Sequence, residues 1–270
     1  MAQEQTVALA NGKLLVDRDG LVTRITFNKP EKMNAMSLDM WDGLKTVLDE
    51  MAGDDSVRVV ILTGAGDKAF VSGADISEFE SQRASEEGIK TYNAISEAAD
   101  AALYHFPKPT IAEIQGYCIG GGMGLAAGCD FRICSEDSRM GITAARLGLG
   151  YNLAGVRKLV DLAGPKVAAR VLYAAELFPA EKALSLGLVD EVVSKEQLRQ
   201  TVDALAGRIA NNAPLTIKTA KAAIRASSAA EGSPDSADVA KLVAECFASS
   251  DYIEGRRAFA EKRRPVFTGK

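Results

Sequence analysis

The chain has 270 residues, 47% hydrophobic and 25% charged, which suits one large domain or a domain with an appendage and supplies a substantial core. A net charge of −4 argues against nucleic acid or an anionic membrane as the main partner. A single histidine, His105, excludes a His-based metal cluster within one chain, and the four cysteines (Cys118, Cys129, Cys134, Cys246) lack C-x-x-C spacing, as expected of reduced thiols in a cytoplasmic protein.

The opening MAQEQTVALANGKLL has neither the basic-then-apolar pattern of a signal peptide nor the Arg-rich character of a transit peptide. Residues 13–28 predict a β-hairpin around an Asp-Gly turn. After the loop NKPEKMNAMS, Ser37 is the expected N-cap of a helix to about Met51, with Trp41, Leu44, Leu48 and Met51 at helical spacing. SVRVVILTG (56–64) reads as a strand buried on both faces, and AFVSGADISEF as a second extended piece ending in a Gly turn. Residues 85–104 are Ala-rich and helical. His105, in YHFPKPT, reads as a structural loop residue ahead of two prolines that fix the connection into the next strand.

PTIAEIQGYCIGGG repeats the order of strand then Gly turn, GLAAGCD continues as a helix, and DFRICSE is a strand. The longest uncharged stretch, 114–129, is too short and Gly-rich to span a bilayer. From Leu147 to about Val193 the pattern is helical, with breaks at Gly164-Pro165 and Gly187. Residues 206–270 carry no strand signal and predict two or three helices. One bears a stripe of Val239, Leu242, Val243, Cys246 and Phe247, and another opens on an Asp251-x-x-Glu254 capping box. The stripe fits packing on a partner subunit or on the chain's own core equally well. The expected organisation is an α/β core over 1–205 and a helical segment over 206–270.

The two Gly turns, FVSGADISEF (70–79) and GYCIGGGMGLAAGCD (116–130), carry the functional signal. Each follows an apolar strand and leaves backbone N–H groups pointing forward. A pair facing one point makes an oxyanion hole. Gly64-x-Gly66-x-x-Ala69 and Gly122-x-Gly124-x-x-Ala127 formally fit a dinucleotide fingerprint, but extended structure follows the first, and the second lacks the strand ending in an acid about 20 residues on.

NKPEKMNAMS, VRVVILTGAGDKAFVSGADISEF, KPTIAEIQGYCIGGGMGLAAGCDFRI, LGLG, PAEKALSLGLVDEVV, IANNAPLTIKTAK and EGRRAFAEKRRPVF stand in the order seen in the crotonase (enoyl-CoA hydratase/isomerase) superfamily, which the chain resembles from about residue 13 to 267. The resemblance implies a spiral of ββα units, a helical trimerisation segment, a homotrimer or homohexamer, and a coenzyme A thioester as substrate with no separate cofactor. It assigns the oxyanion-hole amides to Ala74 and Gly121, and acyl-CoA binding to the backbone of Asp75, Ile76 and Ser77. Phe259 and Lys262 match the pair that reaches the adenine and phosphates of a neighbouring subunit's CoA. Taken alone, Lys262 reads as one solvated charge in EKRR.

The departure from the family lies in its acid–base pair. Where its hydratases carry two glutamates, this chain has Gly124 and Ala144, which implies a poor hydratase. Tyr151, in LGLGYNLAG, resembles a tyrosine at the acyl end of the superfamily's methylmalonyl-CoA decarboxylases, although those carry His at the position of Ala74 and Glu at that of Gly124. Decarboxylation of a malonyl-type thioester and silent acyl-CoA binding are therefore the alternative activities. Tyr151 also reads as an amphipathic pocket residue. Arg146 reads equally as a carboxylate partner or a surface charge, and Glu113, alternating with Ile114 on a strand, is compatible with facing away from the pocket.

Overall fold

The computed structural model describes residues 6–75, 77, 85–228 and 235–270. Within them, strand–strand–helix units wind into a spiral. The hairpin is β2 (Leu14–Asp19) with β3 (Val22–Phe27), edged by β1 (Thr6–Leu9) and followed by α1 (Leu38–Ala52). Three units then repeat: β4 (Val59–Gly64), β5 (Ala69–Val71) and α2 (Glu86–Tyr104); β6 (Thr110–Ile114), β7 (Tyr117–Ile119) and α3 (Gly121–Gly128); β8 (Phe131–Ser135), β9 (Arg139–Gly141) and α4 (Leu153–Ala174). With two later strands, β10 (Phe178–Pro179) and β11 (Glu191–Val193), the first strand of each unit enters a seven-stranded sheet of order β1-β2-β3-β4-β6-β8-β11, parallel from β3 onward. The second enters a four-stranded sheet of order β10-β9-β7-β5.

Strand β4 is buried throughout. Val60 and Leu62 face the main core, whereas Val59 and Ile61 join Ile111 and Ile133 under α6 (Lys195–Ala210). Burial on both faces is why the strand reads as a continuous apolar run. Helix α6 contributes Leu198, Val202, Ala206 and Ala210 to this second cluster, so the boundary expected at 205/206 falls within a helix packed on the sheet. Three helices follow: α7 (Pro214–Ser228), α8 (Asp235–Ala248) and α9 (Ser250–Ala260).

Three expectations are corrected and one, the Ser37 N-cap, is borne out in position but not in side-chain bonding. Between Leu147 and Val193 the chain also forms β10 (Phe178–Pro179) and β11 (Glu191–Val193), beside the short helix α5 (Ala180–Ser185). Strands of two or three residues are too short to show alternation. The N-terminal residues add β1, and β9 was likewise unforeseen. Ser37 is the N-cap of α1 by backbone conformation, but its hydroxyl turns to Asp39 and caps no amide. Helix α9 is capped by Ser249, whose Oγ accepts from Tyr252 N at 3.1 Å, and not by Asp251 and Glu254. Those acids accept instead from the returning C-terminal tail: Asp251 from Thr268 N at 2.7 Å and Gly269 N at 2.8 Å, Glu254 from Val266 N at 3.0 Å. The break at Gly164-Pro165 is present as a non-helical Gly164 with φ of 80° inside α4. Among the described residues no helix is long and apolar enough to cross a membrane.

Candidate active site

The two Gly turns meet. Gly73 (φ +116°) and Gly120 (φ +56°) both occupy the left-handed half of backbone space, and a Cβ added to Gly120 would lie 3.7 Å from Gly73 Cα. One residue further on, Gly122 presses so closely on β5 that an added Cβ would stand 2.1 Å from the Val71 carbonyl oxygen. This contact seats α3 against the first turn.

Hydrogen bonding decides which amides remain available. Met36 N donates to Gly73 O at 2.8 Å and Asp75 N to Met36 O at 2.9 Å, pinning the first turn on either side of Ala74. In the second turn Gly120 N donates to Gly141 O at 2.9 Å, and Gly121 is the first residue of α3. Among the described residues neither Ala74 N–H nor Gly121 N–H has a recorded acceptor. Both residues line one cavity of about 340 Å³. The amide of Gly121 also stands at the positive end of the α3 dipole.

Asp75 anchors the first turn from below. It is buried and accepts from Lys29 Nζ at 2.5 Å, Lys32 Nζ at 3.0 Å, and Ser77 Oγ and N at 2.6 and 3.0 Å. Burial raises its pKa, but the hydrogen bonds from Lys29, Ser77 and Lys32 outweigh that and hold the carboxyl well below its usual range. Ile76 lies outside the described residues.

The facing wall is made of side chains. Tyr151 lies across α3: a Cβ on Gly124 would stand 3.3 Å from its hydroxyl, and one on Gly155 would strike its ring at 2.5 Å. Gly124 and Gly155 thus form the slot that holds the ring. The Tyr151 hydroxyl has no recorded partner among the described residues. Burial, and then the Asp100 carboxylate, push its pKa up, so it stays protonated. Ala144 lines the same cavity.

Two carboxylates that the sequence did not single out, Glu97 and Asp100, also border this cavity. With Tyr92, Asn93 and Ser96 they form one stripe of α2. Their i, i+3 spacing is visible in the sequence, but only the fold reveals which helix faces the turns. Arg146 is exposed and outside the lining. Glu113 faces away from it, paired with Arg24 and Thr63. His105 caps the end of α2 and packs edge-on against Tyr104, also outside this lining. Phe259 (87% exposed) and Lys262 on and after α9 do not join the cavity within one chain. The Gly64–Gly66 turn leads into β5, so the first dinucleotide-like pattern has no helix N-terminus to seat a pyrophosphate. Cys118, Cys129 and Cys134 are buried; burial above all pushes Cys129 and Cys134 up to about 12, which keeps these two as thiols.

Fold and cavity together define a ββα-spiral protein with two backbone amides converging on one pocket. The family model for enoyl-CoA hydratase/isomerase matches residues 17–270. A short-chain-enoyl-CoA hydratase of Clostridium acetobutylicum is 34% identical over 251 residues, covering 93% of this chain and 95% of that protein. A crotonyl-CoA hydratase of Syntrophomonas wolfei is 33% identical over 267 residues, covering 97% and 100%. The crystal structure of an enoyl-CoA hydratase from Bacillus anthracis superposes with a TM-score of 0.90 at 31% identity, over 96% of this chain and 100% of that one. The chain belongs to the enoyl-CoA hydratase/isomerase family, and its fold is the crotonase spiral.

Proposed function

We propose that the protein binds an acyl-CoA thioester with the carbonyl oxygen between the N–H groups of Ala74 and Gly121 and stabilises the thioester enolate. The observation that carries this is the pair of acceptor-free amides lining one cavity where two Gly turns meet. Each such donor is worth roughly 3 kcal/mol when charge develops on the oxygen. The names of the relatives, hydratases of short enoyl-CoA and crotonyl-CoA, support the substrate class.

Hydration is not the reaction this site favours. It needs a base for water and an acid for carbon, and Gly124 and Ala144 supply neither. Crotonyl-CoA hydration is therefore expected to run roughly 10³-fold or more below a two-glutamate enzyme. Gly124→Glu with Ala144→Glu should raise it above either single change, and adding Tyr151→Phe should raise it further, because the hydroxyl crowds the new side chain. Efficient hydration by the unaltered protein would refute this reading of the chemistry.

A second reading is favoured by Tyr151. A protonated hydroxyl with no recorded partner can donate to the carboxylate of a malonyl-type thioester, and loss of CO₂ delivers the enolate without a base. If acyl-CoA binds but neither reaction occurs, the protein is an acyl-CoA-binding member without turnover.

The same proposal has α7–α9 assembling a trimer or a hexamer, with Phe259 and Lys262 reaching the CoA of a neighbouring subunit. The apolar exposure of Phe247, Ile253 and Phe259 supports it. Light scattering should return three or six chains; a clean monomer at micromolar concentration would defeat both the assembly and those two contacts.

A further inference from the structure

The acyl cavity does not end on hydrocarbon. Four of its lining residues, Glu97, Asp100, Asn152 and Lys158, also line a second cavity of about 830 Å³, where Ala101, Tyr104, Ala222 and Leu242 form an apolar part beside charged residues such as Arg157, Lys218 and Lys221. These four residues are therefore the partition between the two spaces.

The partition consists of two polar pairs. Lys158, only 4% exposed, donates to both Asp100 oxygens (2.6 Å to Oδ2) and to the Gly124 carbonyl at 3.0 Å, so its ammonium is fully engaged. Asn152 Nδ2 donates to Glu97 Oε1 at 2.8 Å, while its Oδ1 accepts from Gly155 N at 2.8 Å and caps α4. Each pair ties α2 to α4. Lys158 grips the carbonyl of Gly124, three residues past Gly121 and about 4.5 Å further along the helix axis. An acyl chain whose carbonyl sits at Gly121 meets charge after a short run of carbons. Driving methylenes past a largely buried ion pair costs more than their own burial returns.

We propose that the Asp100–Lys158 and Glu97–Asn152 pairs are the chain-length stop of the acyl site. They restrict it to short acyl thioesters, and without them the chain runs on into the second cavity. The stop presupposes the acyl-CoA binding mode proposed above.

The test is calorimetric titration of the full-length protein with butyryl-, hexanoyl- and decanoyl-CoA, which lack the double bond that hydration needs. The variants are Glu97→Ala and the paired Asp100→Leu/Lys158→Met, changed together because removing one partner strands a buried charge. The unaltered protein should bind decanoyl-CoA no more tightly than butyryl-CoA. The paired variant should gain in affinity from butyryl to decanoyl, by up to roughly fourfold in Kd for each methylene covered by Ala101, Tyr104, Ala222 and Leu242, and Glu97→Ala should show part of that gain. Steady tightening from butyryl to decanoyl in the unaltered protein, or an unchanged order of affinities in the folded paired variant, would overturn the proposal. Should the paired variant not fold, Glu97→Ala at its exposed helix position decides, and an unchanged profile there is equally fatal. Failure of all three thioesters to bind the unaltered protein would instead defeat the acyl-CoA reading, a distinct result.

Discussion

On one wall of the cavity the groups proposed to hold the thioester oxygen are backbone amides, Ala74 and Gly121, and the close contact of Gly122 with Val71 sets their positions. On the facing wall they are side chains, Tyr151 in its glycine slot with the Asp100–Lys158 ion pair and the Glu97–Asn152 hydrogen bond behind it. The first wall has little freedom to vary, because Gly122 against Val71 leaves no space for even a methyl group. The second can exchange acids for small residues and still enclose a cavity. The contrast fits the proposal that the amide pair acts on the thioester while the side-chain wall sets the reaction.

The comparison is broken most directly at Gly121. Gly121→Pro removes the N–H at the first position of α3, where proline is tolerated. It should cost roughly 10²- to 10³-fold in any decarboxylation of malonyl- or methylmalonyl-CoA, which reaches the enolate without a base, with little change in helical content. An unchanged rate would exclude Gly121 from the reaction. Gly122→Ala attacks the packing behind both amides. Urea unfolding should show a loss of about 3 kcal/mol, at the upper end of overpacking costs, and a loss below about 1 kcal/mol would mean that the two turns are not locked.

On the opposite wall, Tyr151→Phe should lower any decarboxylation of malonyl- or methylmalonyl-CoA by about tenfold or more while leaving hydration unchanged. Equal losses in both reactions would show a packing role only. The smallest effect concerns acid stability. The folded-state pKa of Asp75 lies below the ordinary 3.8, so its contribution is complete above that value and declines as pH falls through it toward the folded value. The stability gap between the unaltered protein and Asp75→Asn should therefore be widest near neutral pH and narrow below about pH 4. A gap that widened on acidification would reverse the sign of the assigned shift.

Sequence by itself determined the elements that rest on local physics. Strand β4 is legible as an apolar run because both its faces are covered, α1 because of its periodicity, α2 because of its Ala-rich composition, and the two Gly turns because nothing but glycine occupies Gly73 and Gly120 without strain. The positions of Ala74 and Gly121 followed from the family resemblance of those turns. Strands β9, β10 and β11 were not legible, since a few residues pair only when a neighbour strand is already in place. The cap of α9 was misread because the donors that claim Asp251 and Glu254 come from residues 266–269, which are distant until the tail folds back. Only the tertiary structure decided that Gly124 and Gly155 shape a slot for Tyr151, and that Glu97, Asp100 and Lys158 converge from α2 and α4 on one end of the cavity. These are long-range contacts between helix faces, and the one-dimensional order of residues carries no information about which face meets which.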